Sequence, residues 1–188
     1  MGNDPGMGPW TDREFSDTDF RDADLAGLQT ERCVFSGCDF SGADLADSVH
    51  RGSAFRNCQF RQTMLWRSSF SNCTLLGSLF ENCRMRPIVL DEVDFTLAVL
   101  AGADLRGVDL SGCRLRETSL VGADLRTAVL RGADLTGART QGARLEESDL
   151  RGARIDPATW VSASYRGARV DVQQALAFAA AHALVVSG

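Results

Sequence analysis

Lysine is absent from this chain, and proline, tyrosine and histidine are scarce, with four, one and two residues. All 20 basic residues are therefore arginines, and 25 acidic residues outnumber them to give a formal net charge of −5. This charge argues against a protein that binds nucleic acid through general attraction to phosphate. The few prolines stand beside 18 glycines, and glycine without proline indicates regular, tight turning of the chain.

Segments that would address the chain to a membrane or to secretion are missing. No apolar run approaches the roughly 18 residues that cross a bilayer. Residues 1–6 read Met-Gly-Asn-Asp-Pro-Gly and have neither the basic nor the apolar segment of a secretion signal. We therefore predict a soluble, cytoplasmic protein that has no membrane partner.

The motifs of catalysis and metal binding are also missing. The six cysteines include no Cys-x-x-Cys pair, and only His50 and His182 could add imidazole ligands, so we expect no zinc site. The glycines do not form a phosphate-binding or dinucleotide-binding loop. No nucleophile and second base accompany His50 in the sequence. We therefore predict that the protein is not an enzyme and needs no cofactor or metal.

Leucine and phenylalanine recur at every fifth residue, at what we call the centre positions. Of the 33 multiples of five between residues 10 and 170, 24 are Leu or Phe. The residue two before each centre is mostly small, and 14 of the 18 glycines lie two residues after one, at what we call the corner positions. A period of five fits neither a helix nor a strand. It predicts a chain that turns every five residues, with centres and small residues inward.

The phenylalanines indicate how many turns complete one coil. Nine of the ten occupy centre positions, and eight of these fall into two series with a spacing of 20 residues. The series are Phe20, Phe40, Phe60, Phe80 and Phe15, Phe35, Phe55, Phe95. Four five-residue sides per coil predict an all-β solenoid, a right-handed quadrilateral β-helix of about eight coils over residues 10–170. Its length would be roughly 38 Å at the usual strand spacing.

The repeat does not reach either end of the chain. We expect residues 1–9, which are rich in Gly and Pro, to be a disordered tail, and Trp10 to cover the first coil. Asp171 and Gln174 have the spacing of a capping box ahead of an Ala-rich segment. We predict that residues 171–188 form a short α-helix and tail, which pack on the last coil, on a second copy, or on both.

Pro87 occupies a corner position where glycine is favoured, and Ile88 follows it where a small inward residue is usual. Proline removes a donor from the ladder of backbone hydrogen bonds, and its peptide bond can be cis or trans. We predict a local kink or offset of the rod over residues 84–93.

Polar and sulfur-bearing residues at inward positions have a structural explanation. All six cysteines lie two residues before a centre and behave as small buried side chains. Cys38 and Cys58 lie on adjacent coils, a spacing that allows a disulfide, although a cytosolic setting disfavours one. His50 lies between Thr30 and Phe70 in its series, which predicts a buried hydrogen-bonded pair with Thr30.

The repeat resembles the pentapeptide-repeat family, whose consensus is small-Asp/Asn-Leu/Phe-X-X. The segments 103–107 (Ala-Asp-Leu-Arg-Gly) and 133–137 (Ala-Asp-Leu-Thr-Gly) match this consensus. Residues 50–58, 94–100 and 168–184 are further similar to mycobacterial members associated with fluoroquinolone resistance. The resemblance implies a protein that mimics duplex DNA, binds and inhibits DNA gyrase, and protects it from fluoroquinolones. It favours the ATPase subunit of gyrase over the cleavage core.

The resemblance also makes the outward aspartates a candidate partner-binding acidic face. They are Asp19, Asp24, Asp39, Asp44, Asp104 and Asp124. Residues 1–50 hold 11 acids and 3 arginines, net −8, whereas residues 51–90 hold 1 acid and 6 arginines, net +5. A duplex 38 Å long carries roughly 22 charges, so mimicry would depend on shape and on where the acids lie. For any single aspartate, a role in keeping the rod soluble stays open.

End-to-end homodimers are the assembly that the resemblance implies, through the C-terminal region. The candidate dimerisation residues are Val172, Leu176, Phe178, Ala179, Ala183 and Leu184. The alternative function is a cytosolic interaction scaffold that acts with a small GTPase or another protein partner. Neither function requires direct contact with nucleic acid.

Overall fold

The computed structural model describes residues 8–187, so most of the predicted tail at residues 1–9 lies outside the described residues. The chain forms parallel ladders in which each residue pairs with the residue 20 positions later. One ladder runs through residues 14, 34, 54, 74, 94, 114, 134 and 154. A spacing of 20 with a five-residue unit gives four sides per coil. This confirms the predicted right-handed quadrilateral β-helix.

Ten short strands carry the ladders in the first half of the solenoid. They are β1 (Trp10–Thr11), β2 (Glu14–Ser16), β3 (Gln29–Glu31), β4 (Val34–Ser36), β5 (Val49–Arg51), β6 (Ala54–Arg56), β7 (Gln59–Arg61), β8 (Ser69–Ser71), β9 (Leu79–Glu81) and β10 (Val89–Asp91). The parallel sheets have the orders β1-β3-β5-β8-β10, β2-β4-β6 and β7-β9. After residue 91, single-residue bridges continue the same register.

Corner positions take a backbone conformation that favours glycine. All 14 glycines predicted there have a positive φ, and so does every other corner from residue 12 to residue 152 except Pro87. Space is tight at some of them, since a Cβ added to Gly42 would lie 2.2 Å from Asp22 Oδ1. Many corners without glycine carry Asp or Asn, the residues that tolerate positive φ best.

The core consists of stacked centre residues, as the two phenylalanine series predict. Phe20, Phe40, Phe60 and Phe80 stack with ring centroids 4.8 to 5.1 Å apart and nearly parallel planes. The small inward residues fill the space beside these stacks. All six cysteines are free thiols, and the Cys58 Sγ donates to the Phe35 carbonyl at 3.5 Å. Burial raises the pKa of the Cys58 thiol to about 12, which suits a structural rather than a reactive role.

His50 is fully buried and hydrogen-bonded as predicted. Its Nδ1 lies 2.8 Å from Thr30 Oγ1, and its Nε2 lies 3.0 Å from Ser48 Oγ. The imidazole stacks on Phe70 with centroids 4.5 Å apart. Burial lowers the pKa of His50 to about 3, because the charged form would be desolvated.

This burial predicts a pH dependence of stability. Below a pH of about 6.5, the unfolded chain binds a proton at His50 and the folded chain does not. The free energy of unfolding should therefore fall by up to about 1.4 kcal/mol per pH unit between pH 6 and pH 4.5. Denaturant titrations of the native protein and of His50→Phe check this. If both proteins show the same slope in this window, His50 is not the group responsible.

The ladder breaks beside Pro87, where we predicted an offset. Proline has its φ near −65° and cannot adopt the positive φ of a corner. Arg67 N donates to Pro87 O at 2.6 Å, 20 residues along, whereas Asp47 N donates to Trp66 O, 19 residues along. The Arg86–Pro87 peptide bond is cis. No bridge joins Arg84 to Asp104 among the described residues.

A second proline replaces one side of the solenoid by a helix that the repeat did not predict. Helix α1 (Pro157–Ser162) begins with Pro157 at a corner position and Asp156 as its N-cap residue. Proline is well suited to the first helical turn and ill suited to a corner. The register survives the helix, since Arg144 pairs with Ser164. Trp160 keeps its centre position and is buried.

Helix α2 (Val172–Ala181) closes the C-terminal end and confirms the predicted capping box. Asp171 accepts from Gln174 N, and Gln174 Oε1 accepts from Asp171 N, both at 2.9 Å. Gln174 Nε2 also donates to the carbonyls of Leu150 and Ala153 at 2.6 and 2.8 Å. These bonds cover carbonyls that a further coil would have used. No helix in the described part of the chain is long and apolar enough to span a membrane.

Candidate interaction surface

The six predicted aspartates lie on two neighbouring faces of the rod. Asp19 pairs with Asp39 on one face, which we call the Asp19 face. The Asp24 face is the next one, defined by a column with a 20-residue spacing and by the outward residue two positions after each member. The column comprises Asp24, Asp44, Met64, Arg84, Asp104, Asp124, Arg144 and Ser164. Met64 and Arg84 therefore separate its two acidic pairs.

Three of the six aspartates are neutralised by an arginine two residues later. The shortest distances between the charged groups are 2.7 Å for Asp19–Arg21, 2.7 Å for Asp104–Arg106 and 2.6 Å for Asp124–Arg126. Hydrogen bonds from Arg21 lower the pKa of Asp19 to about 2. Those from Arg106 and Arg126 hold the pKa values of Asp104 and Asp124 below their usual range.

The other three aspartates, Asp24, Asp39 and Asp44, form no ion pair within residues 8–187. Each accepts instead from the backbone N–H two residues later, at 3.3, 2.9 and 2.9 Å. The residues at those positions are Ala26, Ser41 and Ala46, where the paired aspartates have arginine. The Asp-x-Arg spacing in the sequence was the signal that separates the two sets.

The uncompensated acidic surface is therefore concentrated on the first two coils. Residues 1–50 carry a net charge of −8, and Asp24, Asp39 and Asp44 are adjacent through bridges along the two faces. In the C-terminal half, aspartates and arginines alternate in ladders, such as Asp149 between Arg131 and Arg151 at 2.6 and 2.7 Å. That half presents paired charges. Among residues 8–187, no group of His, Cys, Asp and Glu side chains could hold a metal ion.

The predicted dimerisation residues divide between exposed and packed positions. Val172 and Leu176 on α2 are 75% and 43% exposed, and Leu184 after it is 62% exposed. Phe178 instead points at the last coil, with its ring centroid 5.7 Å from that of Trp160. Ala179 is half-buried.

Ala183 and Leu184 lie beyond the helix, which corrects the expectation that the helix extends to residue 184. Helix α2 ends at Ala181, and Ala183 has a φ of 57°. The Leu184 N–H then donates to Ala179 O at 2.8 Å. A residue of positive φ with this backward bond is the turn that ends many helices.

A rod whose five-residue sides stack at 20-residue intervals around Leu and Phe defines the class of pentapeptide-repeat proteins. The family model for pentapeptide repeats matches eight copies within residues 14–49, 94–132 and 128–156. The chain belongs to this family.

The chain is similar to the pentapeptide repeat protein MfpA of Mycobacterium tuberculosis (strain ATCC 25618 / H37Rv). The two are 66% identical over 182 residues, which cover 97% of this chain and 100% of the relative. MfpA of Mycolicibacterium smegmatis (strain ATCC 700084 / mc(2)155) is 65% identical over 59 residues, 31% of each chain. Among solved structures, trypsin-treated QnrB1, a plasmid-mediated fluoroquinolone resistance protein, has a TM-score of 0.67 at 22% identity. It covers 94% of this chain and 89% of its own, and the likeness concerns the fold.

Proposed function

We propose that this protein is a homodimeric DNA mimic that binds DNA gyrase, inhibits it, and protects it from fluoroquinolones. The observation that carries the proposal is the set of unpaired carboxylates on the first two coils of a straight-sided rod. The chain that presents them is 66% identical to MfpA over nearly its full length. The protein acts by binding and not by catalysis.

Charge placement supports binding through one part of the rod. A net charge of −5 is far below that of a duplex of comparable length. The carboxylates of Asp24, Asp39 and Asp44 have no compensating cation and recur with the coil spacing. Such a patch can meet a basic surface made for DNA, since complementary charge speeds encounter and sets orientation. We favour the ATPase subunit of gyrase as the site of this surface.

Purified protein tests the proposal in two gyrase assays. We expect micromolar protein to inhibit supercoiling and to reduce the cleavage complexes that a fluoroquinolone stabilises. Pull-downs with the separate gyrase subunits should retain the ATPase subunit. The absence of any effect in both assays would overturn the gyrase proposal in favour of an interaction scaffold with another cytoplasmic partner, such as a small GTPase.

The C-terminal end supports the homodimer. Val172, Leu176 and Leu184 are exposed there together with Val185 and Val186, which are 95% and 61% exposed. Apolar side chains in such number at one end of a small rod are typical of an interface between copies. Two copies joined at this end would give a rod of about twice the length, with the acidic coils at its outer ends.

Replacing Val172 and Leu176 by aspartate should yield a monomer. Both side chains are exposed in the single chain, so the fold should persist while buried charge disrupts the dimer interface. Light scattering should show half the mass of the native protein. Leu97→Asp, at a corner position 52% exposed on the rod, is the control that should keep the dimer mass. An unchanged mass of the double variant would show that this surface does not hold the dimer.

A further inference from the structure

Two sides of the solenoid are open between the coils that flank Pro87. Residues 64 and 84 pair, and so do 104 and 124, but no bridge joins 84 to 104 or 89 to 109 among the described residues. The other two sides stay closed, because 79 pairs with 99 and 94 with 114. The rod thus has a local gap in its wall rather than a complete interruption.

The gap leaves backbone groups without their ladder partners. On the intact coils, Leu65 N donates to Arg84 O at 2.9 Å and Asp124 N donates to Ala103 O at 2.9 Å. The equivalent groups at the gap, Met85 N and Asp104 N, have no backbone acceptor in the described structure. An open edge of this kind is a template for an added strand.

A groove runs from this gap along the Asp24 face. Its first part is a cavity of 780 Å³, lined by residues 83–88 on one coil and by residues 104 and 106–109 on the next. Its second part is a cavity of 640 Å³, lined by Met64, Trp66, Arg84 and Arg86 together with Asp44 and Ala46. Arg84 and Arg86 line both parts, so the groove is continuous.

The groove has the side chains that dominate protein interfaces. Trp66 is 37% exposed on a rod whose other centre and inward residues are mostly buried. The guanidinium of Arg67 lies 3.7 Å from the centre of its ring, and Met64 is beside it on the same face. Trp and Arg are the residues most often found at the energetic centre of an interface.

The charge of this part of the chain is opposite to that of the first coils. Residues 51–90 carry a net charge of +5. Arg84 forms no ion pair in the described structure, and Arg86 reaches across the gap to Asp104 at 3.0 Å. A ligand for this groove should therefore carry negative charge next to apolar groups.

We propose that this groove binds an extended, acidic segment of a partner protein. The segment adds a strand to the open edge at Met85 and Asp104, and its carboxylates pair with Arg84 and Arg86 beside Trp66. This site is distinct from the acidic surface assigned to gyrase, and it needs no gyrase for its test.

A fluorescein-labelled nonapeptide that alternates Glu with Val is the probe, and fluorescence anisotropy measures its binding. We expect Arg84→Glu/Arg86→Glu to weaken binding at least tenfold and Trp66→Ala at least fivefold. Arg51→Glu/Arg56→Glu makes the same charge change on other faces and should alter binding less than twofold. Hydrogen exchange of the amides of Met85 and Asp104 should slow at least tenfold when the peptide binds.

Restoring the repeat gives a variant that does not depend on charge. Pro87→Gly/Ile88→Ala returns the corner and the small inward residue to the consensus, so it should close the ladder and abolish peptide binding. The same peptide with Lys for Glu should not bind. Equal binding of an oligothymidylate of the same charge, equal loss in the control variant, or binding without amide protection would each overturn the proposal. No binding of the acidic peptide by the native protein would overturn it as well.

Discussion

Replacing Asp24, Asp39 and Asp44 together by asparagine should raise the protein concentration needed to inhibit gyrase supercoiling at least tenfold. Tenfold corresponds to about 1.4 kcal/mol of binding free energy, a modest share for three unpaired carboxylates that face a basic surface. The substitutions remove no ion pair and keep the side-chain oxygen that accepts from the backbone. The fold should therefore remain, and the change should be one of binding.

The matched control changes the three paired aspartates, Asp19, Asp104 and Asp124, to asparagine. Both triple variants shift the formal net charge from −5 to −2, since each removes three negative charges. Asp104 and Asp124 lie several coils from the acidic end, beyond the roughly 8 Å over which exposed charges act at physiological salt. We expect less than a threefold change in inhibition for this control.

The comparison of the two triple variants separates three explanations. A loss confined to the unpaired triple places the gyrase interface on the first two coils. An equal loss in both triples would show that total charge governs binding. No loss in either would exclude the acidic faces as the interface.

Replacing Phe35 by alanine should lower the free energy of unfolding by about 3 to 5 kcal/mol, the usual cost of a large-to-small change in a packed core. Phe35 is fully buried and lies between Phe15 and Phe55, with centroids 5.0 and 4.6 Å away and rings within 6° of parallel. The rigid ladder bonds on either side prevent the coils from collapsing into the cavity. Denaturant unfolding followed by circular dichroism measures the loss.

Phe15→Ala is the matched control, because the same ring is removed from the same stack at its outer end. Phe15 is half-buried and has the first coil on one side only. We expect a loss of about 1 to 2 kcal/mol there, in keeping with partial burial. Equal losses at the two positions would mean that the stack does not gain stability from burial between coils.

The period of five and the 20-residue spacing of phenylalanine were sufficient to predict the solenoid. Each inward residue of a coil stacks on the residue 20 positions later, so a local pattern repeats the tertiary contact itself. Helix α1 escaped the prediction because Trp160 keeps the phase of the repeat. The signal was Pro157 at a corner, since proline cannot take the positive φ found at the corners up to residue 152.

The candidate surface was predicted only in part. Outward aspartates were identified from their position, but Asp19 and Asp24 have the same place in the repeat and differ in charge compensation. Their difference depends on a neighbour two residues later. The gap beside Pro87 was predicted as an offset, whereas the groove it shares with Trp66 requires two coils to be placed against each other.

The sequence by itself determined the coil, its four sides, the inward residues and the capped helix at the end. These features depend on contacts that recur at fixed spacing, and a linear pattern specifies them. The tertiary structure alone decided which aspartates stay unpaired, where the ladder opens and how the C-terminal apolar residues divide between core and surface. Those outcomes depend on side chains from different coils competing for the same partner, and no spacing in the chain encodes that competition.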